Sequence, residues 1–209
     1  MQKLVLTRDF ERAATDHHQQ MAIVVQAKTL LFAAPGLYEG EWRARDDNNC
    51  YNFAINRPTR DHMQPGDLSE ELDWPGDVPV KSVKLKEGLF QLVDSTGIRV
   101  HKGAQADGLV YLGHNFLGCR KDFFPAALFL KYEDQGDFHW MAMRQKVDGD
   151  SPTGELIWSH KCGRPSPVEI ITAPDTIFSK ATAIGYLLFA GYYAVPRDMA
   201  YREVPGLSP

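Results

Sequence analysis

The hydrophobic and polar positions of the chain follow a helical period in the first half and a shorter period in the second. Residues 11–33 lack Pro and Gly and carry apolar side chains at helical spacing, which predicts an amphipathic helix that ends at Pro35-Gly36. Residues 58–79 contain four prolines and two Pro-Gly pairs and are predicted to form loops. A second helix is predicted over residues 83–95, with its end at Gly97.

Beyond Gly97 the chain consists of short aromatic and β-branched segments separated by turn residues, a pattern typical of strands. These segments are IRVH, GLVYLGH, AALFLKY, DFHWMAMRQ, ELIWSHK, VEIIT and YLLFAGYYAV. The short Gly-containing loop EDQGD between AALFLKY and FHWMAMR predicts a β-hairpin. Helices followed by an antiparallel sheet define an α+β fold.

We predict one domain over residues 1–209. It comprises an N-terminal helical extension (1–36), a short cysteine-containing helix with loops (37–97) and the antiparallel sheet (98–196). The length of 209 residues suits one well-buried domain.

Composition and charge narrow the classes of partner. Hydrophobic residues make up 44% and charged residues 24%, which is ordinary globular usage. The formal net charge of -4 indicates neither a nucleic acid nor an anionic membrane as partner. No secretory signal is recognisable, and no apolar segment approaches the about 20 residues that span a bilayer. The sequence therefore predicts a soluble cytoplasmic protein without membrane insertion and without a cofactor, and it leaves the oligomeric state open.

The three cysteines are Cys50, Cys119 and Cys162, an odd number without a CxxC pair. This argues against a disulfide framework and a structural zinc site, so the simplest interpretation of each is a small buried thiol. His114 and Cys119 are of ligand types that zinc accepts, but no second pair accompanies them, and no metal site is predicted. The pair His17-His18 is predicted to be solvated.

Cys50 differs from the other two because of the segment NNCYNFAIN that surrounds it. Asn48 and Asn49 are natural helix N-caps, so Cys50 is predicted in the first turn of a short helix that Arg57-Pro58 closes. A helix N-terminus favours a thiolate, and its N–H groups can bind an oxyanion that forms beside the sulfur. Cys50 is therefore the candidate nucleophile, with Asn48 and Asn49 as candidate oxyanion donors.

A nucleophilic thiol needs a base, and the best candidate is His139 at the start of a predicted strand. A third polar group should orient the imidazole, and the next strand offers Ser159 and His160. Strand alternation allows only one of these two to face His139, and His160 is preferred. Trp140 is a candidate substrate contact, although packing in the core is its simpler interpretation.

The order of a cysteine on a helix, a histidine on a strand and a polar residue on the next strand is that of the papain-like fold. The segments NNCYNFAIN, QPGDL, DFHWMAMRQ, WSHKCG and FAGYYAVP resemble those of a family of bacterial and phage proteins of papain-like type, whose blocks are NCYxYAxN, QPG, DYHWYR, DGxWSHKPG and FxGYxxVP. The resemblance implies Cys50 as nucleophile, His139 as base and a third polar residue in the WSHK block. In layout, though not in motif, the chain is also similar to NlpC-like and CHAP peptidoglycan hydrolases.

The chain departs from that family at two places and from papain itself at a third. Lys161-Cys162-Gly163 replaces Lys-Pro-Gly, and Met141 replaces a tyrosine. Papain has a glutamine about six residues before its cysteine, where this chain has Ala44.

Together, the residues and the resemblance predict a cysteine-dependent hydrolase or acyl transferase, such as a thiol protease or amidase. Its substrate is expected to be an amide bond in a protein, a peptide or peptidoglycan. The source is expected to be a bacterium or a phage, with the host cytoplasm or the virion as location if a phage encodes it. The alternatives are a phage-encoded binding or inhibitor protein on a papain-like scaffold, without catalysis, and a virion structural protein.

Overall fold

The computed structural model describes residues 2–27, 48–58, 62–69, 95–120, 122–131, 137–148, 151–163, 166–172 and 176–201. These ranges contain four α-helices: α1 (Gln2–Ala27), α2 (Cys50–Ala54), α3 (Ser95–Ala106) and α4 (Ile177–Ala183). They also contain six strands: β1 (Val110–Gly113), β2 (Phe123–Leu130), β3 (Phe138–Asp148), β4 (Ser151–Lys161), β5 (Val168–Ile171) and β6 (Leu188–Pro196). Helices precede most of the sheet, and the predicted α+β fold class is confirmed.

The six strands form one sheet in the order β1-β6-β2-β3-β4-β5, and every neighbouring pair is antiparallel. The predicted hairpin is confirmed, since Leu130 of β2 lies opposite Phe138 of β3. In the next pair, Met141 of β3 lies opposite His160 of β4. Six of the seven segments predicted as strands contain strands of this sheet.

The strand prediction for the seventh segment, IRVH, is wrong, because these residues belong to helix α3. A four-residue segment is too short to distinguish a strand period from a helix period, and Val100 and Ala104, one helical turn apart, are both buried. The predicted helix end at Gly97 and the start of the sheet at residue 98 are therefore also wrong. Most of that predicted helix, residues 83–94, lies outside the described ranges, as does the predicted boundary after residue 36.

Both faces of the sheet are covered, and alternate residues of each strand serve different cores. Helices α2 and α3 pack on one face, against side chains such as Leu128 and Trp140. Helices α1 and α4 pack on the other face, against Phe129 and Met141. Neighbouring strand residues point to opposite faces, which is why Trp140 and Met141 lie in different cores.

Helix α1 contributes buried side chains to this second core. The helix predicted from residue 11 is confirmed as far as residue 27, and residues 28–33 lie outside the described ranges. His17, predicted to be solvated, is instead 2% exposed, and its Nδ1 lies 2.7 Å from the hydroxyl of Tyr192. Burial lowers the pKa of His17 to about 3, so the ring is neutral and packs as a core side chain.

Within the described residues, no helix combines the length and the apolar character that a membrane span needs. The cytoplasmic location stays a prediction from the sequence.

Candidate active site

The start of helix α2 is fixed by a reciprocal cap between two asparagines. The Oδ1 of Asn49 accepts hydrogen bonds from the N–H groups of Tyr51 (2.9 Å) and Asn52 (3.0 Å), and the Oδ1 of Asn52 accepts one from the N–H of Asn49 (3.2 Å). This is a capping box in which asparagine occupies both positions. Cys50 is consequently the first residue of the helix, as the sequence predicted.

The other end of α2 closes earlier than predicted, at Ala54, because Asn56 adopts a left-handed conformation with φ 60. The N–H of Arg57 then reaches the carbonyl of Asn52 (2.9 Å), which is the closing bond of a Schellman motif. The buried guanidinium of Arg144, on β3, donates to the carbonyl of Phe53 and to the Oδ1 of Asn56 (2.7 Å). A cation at the C-terminus of a helix is favourable, so Arg144 fastens α2 to the strand that carries His139.

The sulfur of Cys50 lies against the edge of β3. It is 3.8 Å from the carbonyl oxygen of Phe138, and the backbone N–H groups of Trp140 and of Cys50 itself also face it. Phe138 and Trp140 flank His139, so the sulfur lies beside the backbone of that residue. Pairing of β3 with β4 begins only at Met141, which leaves this part of the β3 edge to the cysteine.

In this conformation the thiol of Cys50 is protonated. Burial raises its pKa to about 12, and the charges of Asp137 and Cys162 add to the rise, against the two backbone N–H groups that favour the thiolate. A helix start stabilises a thiolate through its free N–H groups. Helix α2 has only five residues, and Asn49 already occupies the N–H groups of Tyr51 and Asn52. Desolvation therefore outweighs the helix terminus.

The two histidines predicted as base and orienting group are hydrogen-bonded to each other. The Nε2 of His139 lies 2.9 Å from the Nδ1 of His160, and the ring planes are almost perpendicular, at 86°. Burial is the main cause that lowers the pKa of His139 to about 3 and that of His160 to about 4. Both rings are therefore neutral at pH 7, and each can accept a proton.

Of the two alternatives for the orienting residue, the structure places His160 beside His139 and directs Ser159 to the opposite face. Ser159 lies opposite Ala142, a residue of the core that contains α2, and is 2% exposed. Its Oγ has no hydrogen-bond partner in the described part of the chain. The prediction that alternation lets only one of the pair face His139 is confirmed.

The sulfur of Cys50 contacts the backbone on both sides of His139, but the imidazole of His139 lies on the other face of the sheet from helix α2, on the face of Phe129. Cys50 and His139 are not hydrogen-bonded to each other among the described residues. The hydrogen-bond contact of the thiol is the carbonyl of Phe138, and that of the imidazole is His160. Proton transfer from the sulfur to His139 therefore requires a local rearrangement at the β3 edge. The catalytic roles of all three residues stay predictions.

The remaining predicted site residues, Asn49, Asn48 and Trp140, are buried. The Nδ2 of Asn49 donates to the carbonyl of Met63 (2.7 Å), so both ends of this amide are engaged. Asn48 is fully buried. The indole of Trp140 is fully buried between Tyr51 and Tyr193, which matches the core interpretation and gives no support to a substrate contact.

Two residues near the site had no assigned role in the sequence analysis. The sulfur of Cys162 lies 3.4 Å from the Nδ1 of His160, and its place two residues after that histidine was the only sequence signal. The carboxylate of Asp107 accepts hydrogen bonds from the hydroxyl of Tyr51 (2.5 Å) and the N–H of Gly66 (2.7 Å). Asp107 thus ties helix α2 to the QPGDL loop, and the long separation in sequence hides this link.

Comparisons of the chain with protein-family models, with curated proteins and with solved structures found no match. The function is therefore argued from the geometry and chemistry of the described residues.

Proposed function

We propose that this protein is a cysteine-dependent hydrolase or acyl transferase of papain-like type that acts on an amide bond. Cys50 is the nucleophile, His139 the general base, and His160 the residue that positions the imidazole. The hydrogen bond of 2.9 Å between His139 and His160, on the strand edge that the Cys50 sulfur contacts, carries this proposal. The order of a cysteine at a helix start and two histidines on successive strands supports a papain-like arrangement.

The hydrogen-bond pattern assigns a role to each ring nitrogen. If the Nε2–H of His139 donates to the Nδ1 of His160, the Nδ1 of His139 keeps a free lone pair for the thiol proton. His160 then carries its own proton on Nε2, which faces the carboxylate of Glu169 at 3.8 Å. With these tautomers, His139 can act as a base through its Nδ1. When His139 becomes an imidazolium, the neutral Nδ1 of His160 accepts the hydrogen bond from its Nε2–H.

Acyl transfer at this site takes place in two stages, acylation of Cys50 and hydrolysis of the thioester. The sulfur of Cys50 attacks the amide carbonyl while its proton passes to His139, and the carbonyl electron pair moves to the oxygen. The backbone N–H groups of Cys50 and Trp140, which face the sulfur, donate to that oxyanion. His139 then protonates the leaving amine as the C–N bond breaks, and a thioester remains. Water, deprotonated by His139, releases the acid and restores the thiol.

The raised pKa of the thiol decides the timing of the first step. A thiol with a pKa of about 12 beside an imidazole with a pKa of about 3 does not form an ion pair in the resting state. Proton transfer therefore accompanies attack on the substrate, and the site is a general-base system without a preformed thiolate.

The same raised pKa also favours a second candidate function, a binding or inhibitor protein on a papain-like scaffold. In such a protein Cys50 is a buried thiol, which is 7% exposed here, and the histidine pair is a core hydrogen bond. The two functions differ in whether the sulfur of Cys50 can carry an acyl group.

The test is acylation by p-nitrophenyl acetate, with release of p-nitrophenol followed by absorbance and the modified cysteine located by mass spectrometry. We expect acetylation of Cys50 followed by turnover, its loss in Cys50→Ser, and a rate lowered about 100-fold or more in His139→Ala. The matched control is Cys119→Ser, because Cys119 is also buried but follows β1, at the edge of the sheet opposite β5. Equal, slow acetylation of all three thiols, unchanged by His139→Ala, contradicts the enzyme and favours the binding protein.

A further inference from the structure

A third side chain joins the two histidines of the candidate active site. The Nδ1 of His160 lies 2.9 Å from the Nε2 of His139 and 3.4 Å from the sulfur of Cys162. One donor atom from each of the three residues lies within 4.8 Å of the others. Two imidazole nitrogens and a sulfur thus converge on one small volume.

The elements that carry these donors are held in place. His139 and His160 lie on β3 and β4, which pair directly with each other. The turn that carries Cys162 is fixed by Lys161, which is 1% exposed and whose Nζ donates to the carbonyls of Gly163 (2.8 Å) and Ser166 (2.9 Å). A buried lysine that donates to two backbone carbonyls of the turn holds the thiol beside the histidines.

The donor set is one that zinc prefers. Zinc accepts imidazole nitrogen and thiolate sulfur in tetrahedral geometry, and Zn–N bonds of about 2.0 Å with a Zn–S bond of about 2.3 Å separate the donors by roughly 3.3 to 3.6 Å. Of the observed separations, 2.9 Å lies below that range, 3.4 Å lies within it, and the third is at most 4.8 Å.

The protonation states also suit a metal ion. Each of the two nitrogens offers a lone pair to a metal once the proton shared between the Nε2 of His139 and the Nδ1 of His160 has moved to the Nδ1 of His139. Only the thiol of Cys162 has a proton to lose, and that proton passes to solvent when a cation binds the sulfur.

An orienting group for His160 is present as well. The Nε2 of His160 is fully buried and has no hydrogen-bond partner among the described residues, and the carboxylate of Glu169 lies 3.8 Å from it. Lys180 donates to the same carboxylate and holds it in place. With Nδ1 on a metal, the Nε2–H points to Glu169, which is the carboxylate–histidine–zinc arrangement of metalloproteins.

We propose that His139, His160 and Cys162 bind one Zn²⁺ ion through three protein ligands, with a fourth position open to water. The sequence contains no paired cysteines that would indicate this site, because the ligands come from two strands and the turn after them. His139 is also the proposed general base. When its Nε2 binds zinc, the ring proton stays on Nδ1, so Nδ1 cannot take the proton of the Cys50 thiol. Zinc is therefore an inhibitor of the acyl transfer, a consequence that alone rests on the proposed function.

The site is tested with Co²⁺ as a spectroscopic substitute for zinc, titrated into the reduced, chelator-treated full chain. We expect one equivalent to bind, with the near-ultraviolet thiolate-to-cobalt band and the intense visible bands of a tetrahedral site, and Zn²⁺ to displace it. Cys162→Ser should lose the thiolate band, whereas the matched control Cys119→Ser should keep it. Glu169→Gln should keep the band and weaken binding roughly 10-fold or more. Absence of the band in the unmodified protein, or its persistence in Cys162→Ser, overturns the proposal.

The acetylation assay and the Co²⁺ titration together distinguish a failure of the zinc site from a failure of the hydrolase. Zn²⁺ at one equivalent should stop acetylation of Cys50 in the unmodified protein and should be at least about 10-fold less effective in Cys162→Ser. If Co²⁺ binds as expected but the metal-free protein is not acetylated, the zinc site stands and the hydrolase is wrong. If acetylation of Cys50 depends on His139 but Co²⁺ does not bind, the hydrolase stands and the zinc site is wrong.

Discussion

The Nε2 of His139 and the Nδ1 of His160 lie 2.9 Å apart, on neighbouring strands of one sheet. Both rings are buried, at 2% and 0% exposure, so each supplies the polar partner that the other needs away from water. Ser159, the residue next to His160, points to the opposite face and is equally buried, at 2% exposure.

This difference between neighbours gives the first prediction. His160→Ala removes the acceptor that positions His139, and we expect the acetylation rate of Cys50 to fall about 100-fold or more. His160→Asn, whose amide oxygen can accept the same hydrogen bond, should recover part of the loss, which a merely structural role does not predict. Rates are measured by release of p-nitrophenol.

Ser159→Ala is the matched control for that pair of variants. Its rate should stay within a few-fold of the unmodified protein, and its free energy of unfolding in urea should be unchanged or higher by about 1 kcal/mol. The reason is that the buried Oγ has no hydrogen-bond partner in the described part of the chain, so its removal relieves a desolvation cost. A large loss of rate in Ser159→Ala, with His160→Ala nearly normal, makes Ser159 the orienting residue and contradicts the account.

The second prediction concerns the cap that places Cys50 at the start of α2. Asn49→Ala deprives the N–H groups of Tyr51 and Asn52 of their acceptor and the carbonyl of Met63 of its donor. We expect a loss of about 1 to 2 kcal/mol in the free energy of unfolding, measured by urea titration, together with slower acetylation.

Asn115 offers a comparison for Asn49, because it also caps a turn but is exposed, with a single bond to the N–H of Leu117 (3.0 Å). Asn115→Ala should cost about 0.5 kcal/mol and leave acetylation unchanged. Equal losses of unfolding free energy in the two variants would mean that the buried cap of α2 stabilises the protein no more than the exposed cap does.

Parts of this fold are predictable because the signals are local. The hairpin of β2 and β3 follows from two strand-type segments around a short Gly-containing loop, and the start of α2 follows from Asn49 as cap. Helix α3 was predicted wrongly because the four residues IRVH alternate as a strand does, and a segment this short does not show the helix period that continues to Ala104.

The candidate site depends partly on contacts that no local pattern contains. Strand alternation predicts that either His160 or Ser159 faces His139, but the choice of His160 depends on the register of β3 with β4. The contact between Cys162 and His160 depends on a turn after β4, and the contact of Asp107 with Tyr51 joins residues 56 positions apart. The burial of His17 depends on helix α1 packing across the sheet, so a polar pair in the sequence gave the wrong prediction.

The third prediction is that stability falls as the pH is lowered below about 6.5. Burial lowers the pKa of His17 and His139 to about 3 and of His160 to about 4. Each folded-state pKa lies below the unfolded value, so the unfolded chain binds more protons as the pH falls from 6.5 through the folded values. The stabilisation is fully present above the unfolded pKa and is lost towards acid, at up to about 1.4 kcal/mol per pH unit for each histidine.

The measurement is urea unfolding at pH 7, 6 and 5. His17→Gln removes one of the three groups, and its stability should depend less steeply on pH than that of the unmodified protein. A stability that stays constant from pH 7 to pH 5 contradicts the assignment of three neutral, buried histidines.

Iodoacetamide alkylation between pH 5 and pH 9, with each cysteine followed by mass spectrometry, measures whether neutral His139 takes the proton of Cys50. A neutral base that assists the thiol makes the labelling rate of Cys50 nearly independent of pH over this range, because the imidazole stays unprotonated. In His139→Ala the rate should rise about tenfold per pH unit, as it does for an unassisted thiol far below its pKa, and Cys119 should show that steep rise in both proteins. A steep rise for Cys50 in the unmodified protein, identical to that in His139→Ala, would contradict the account.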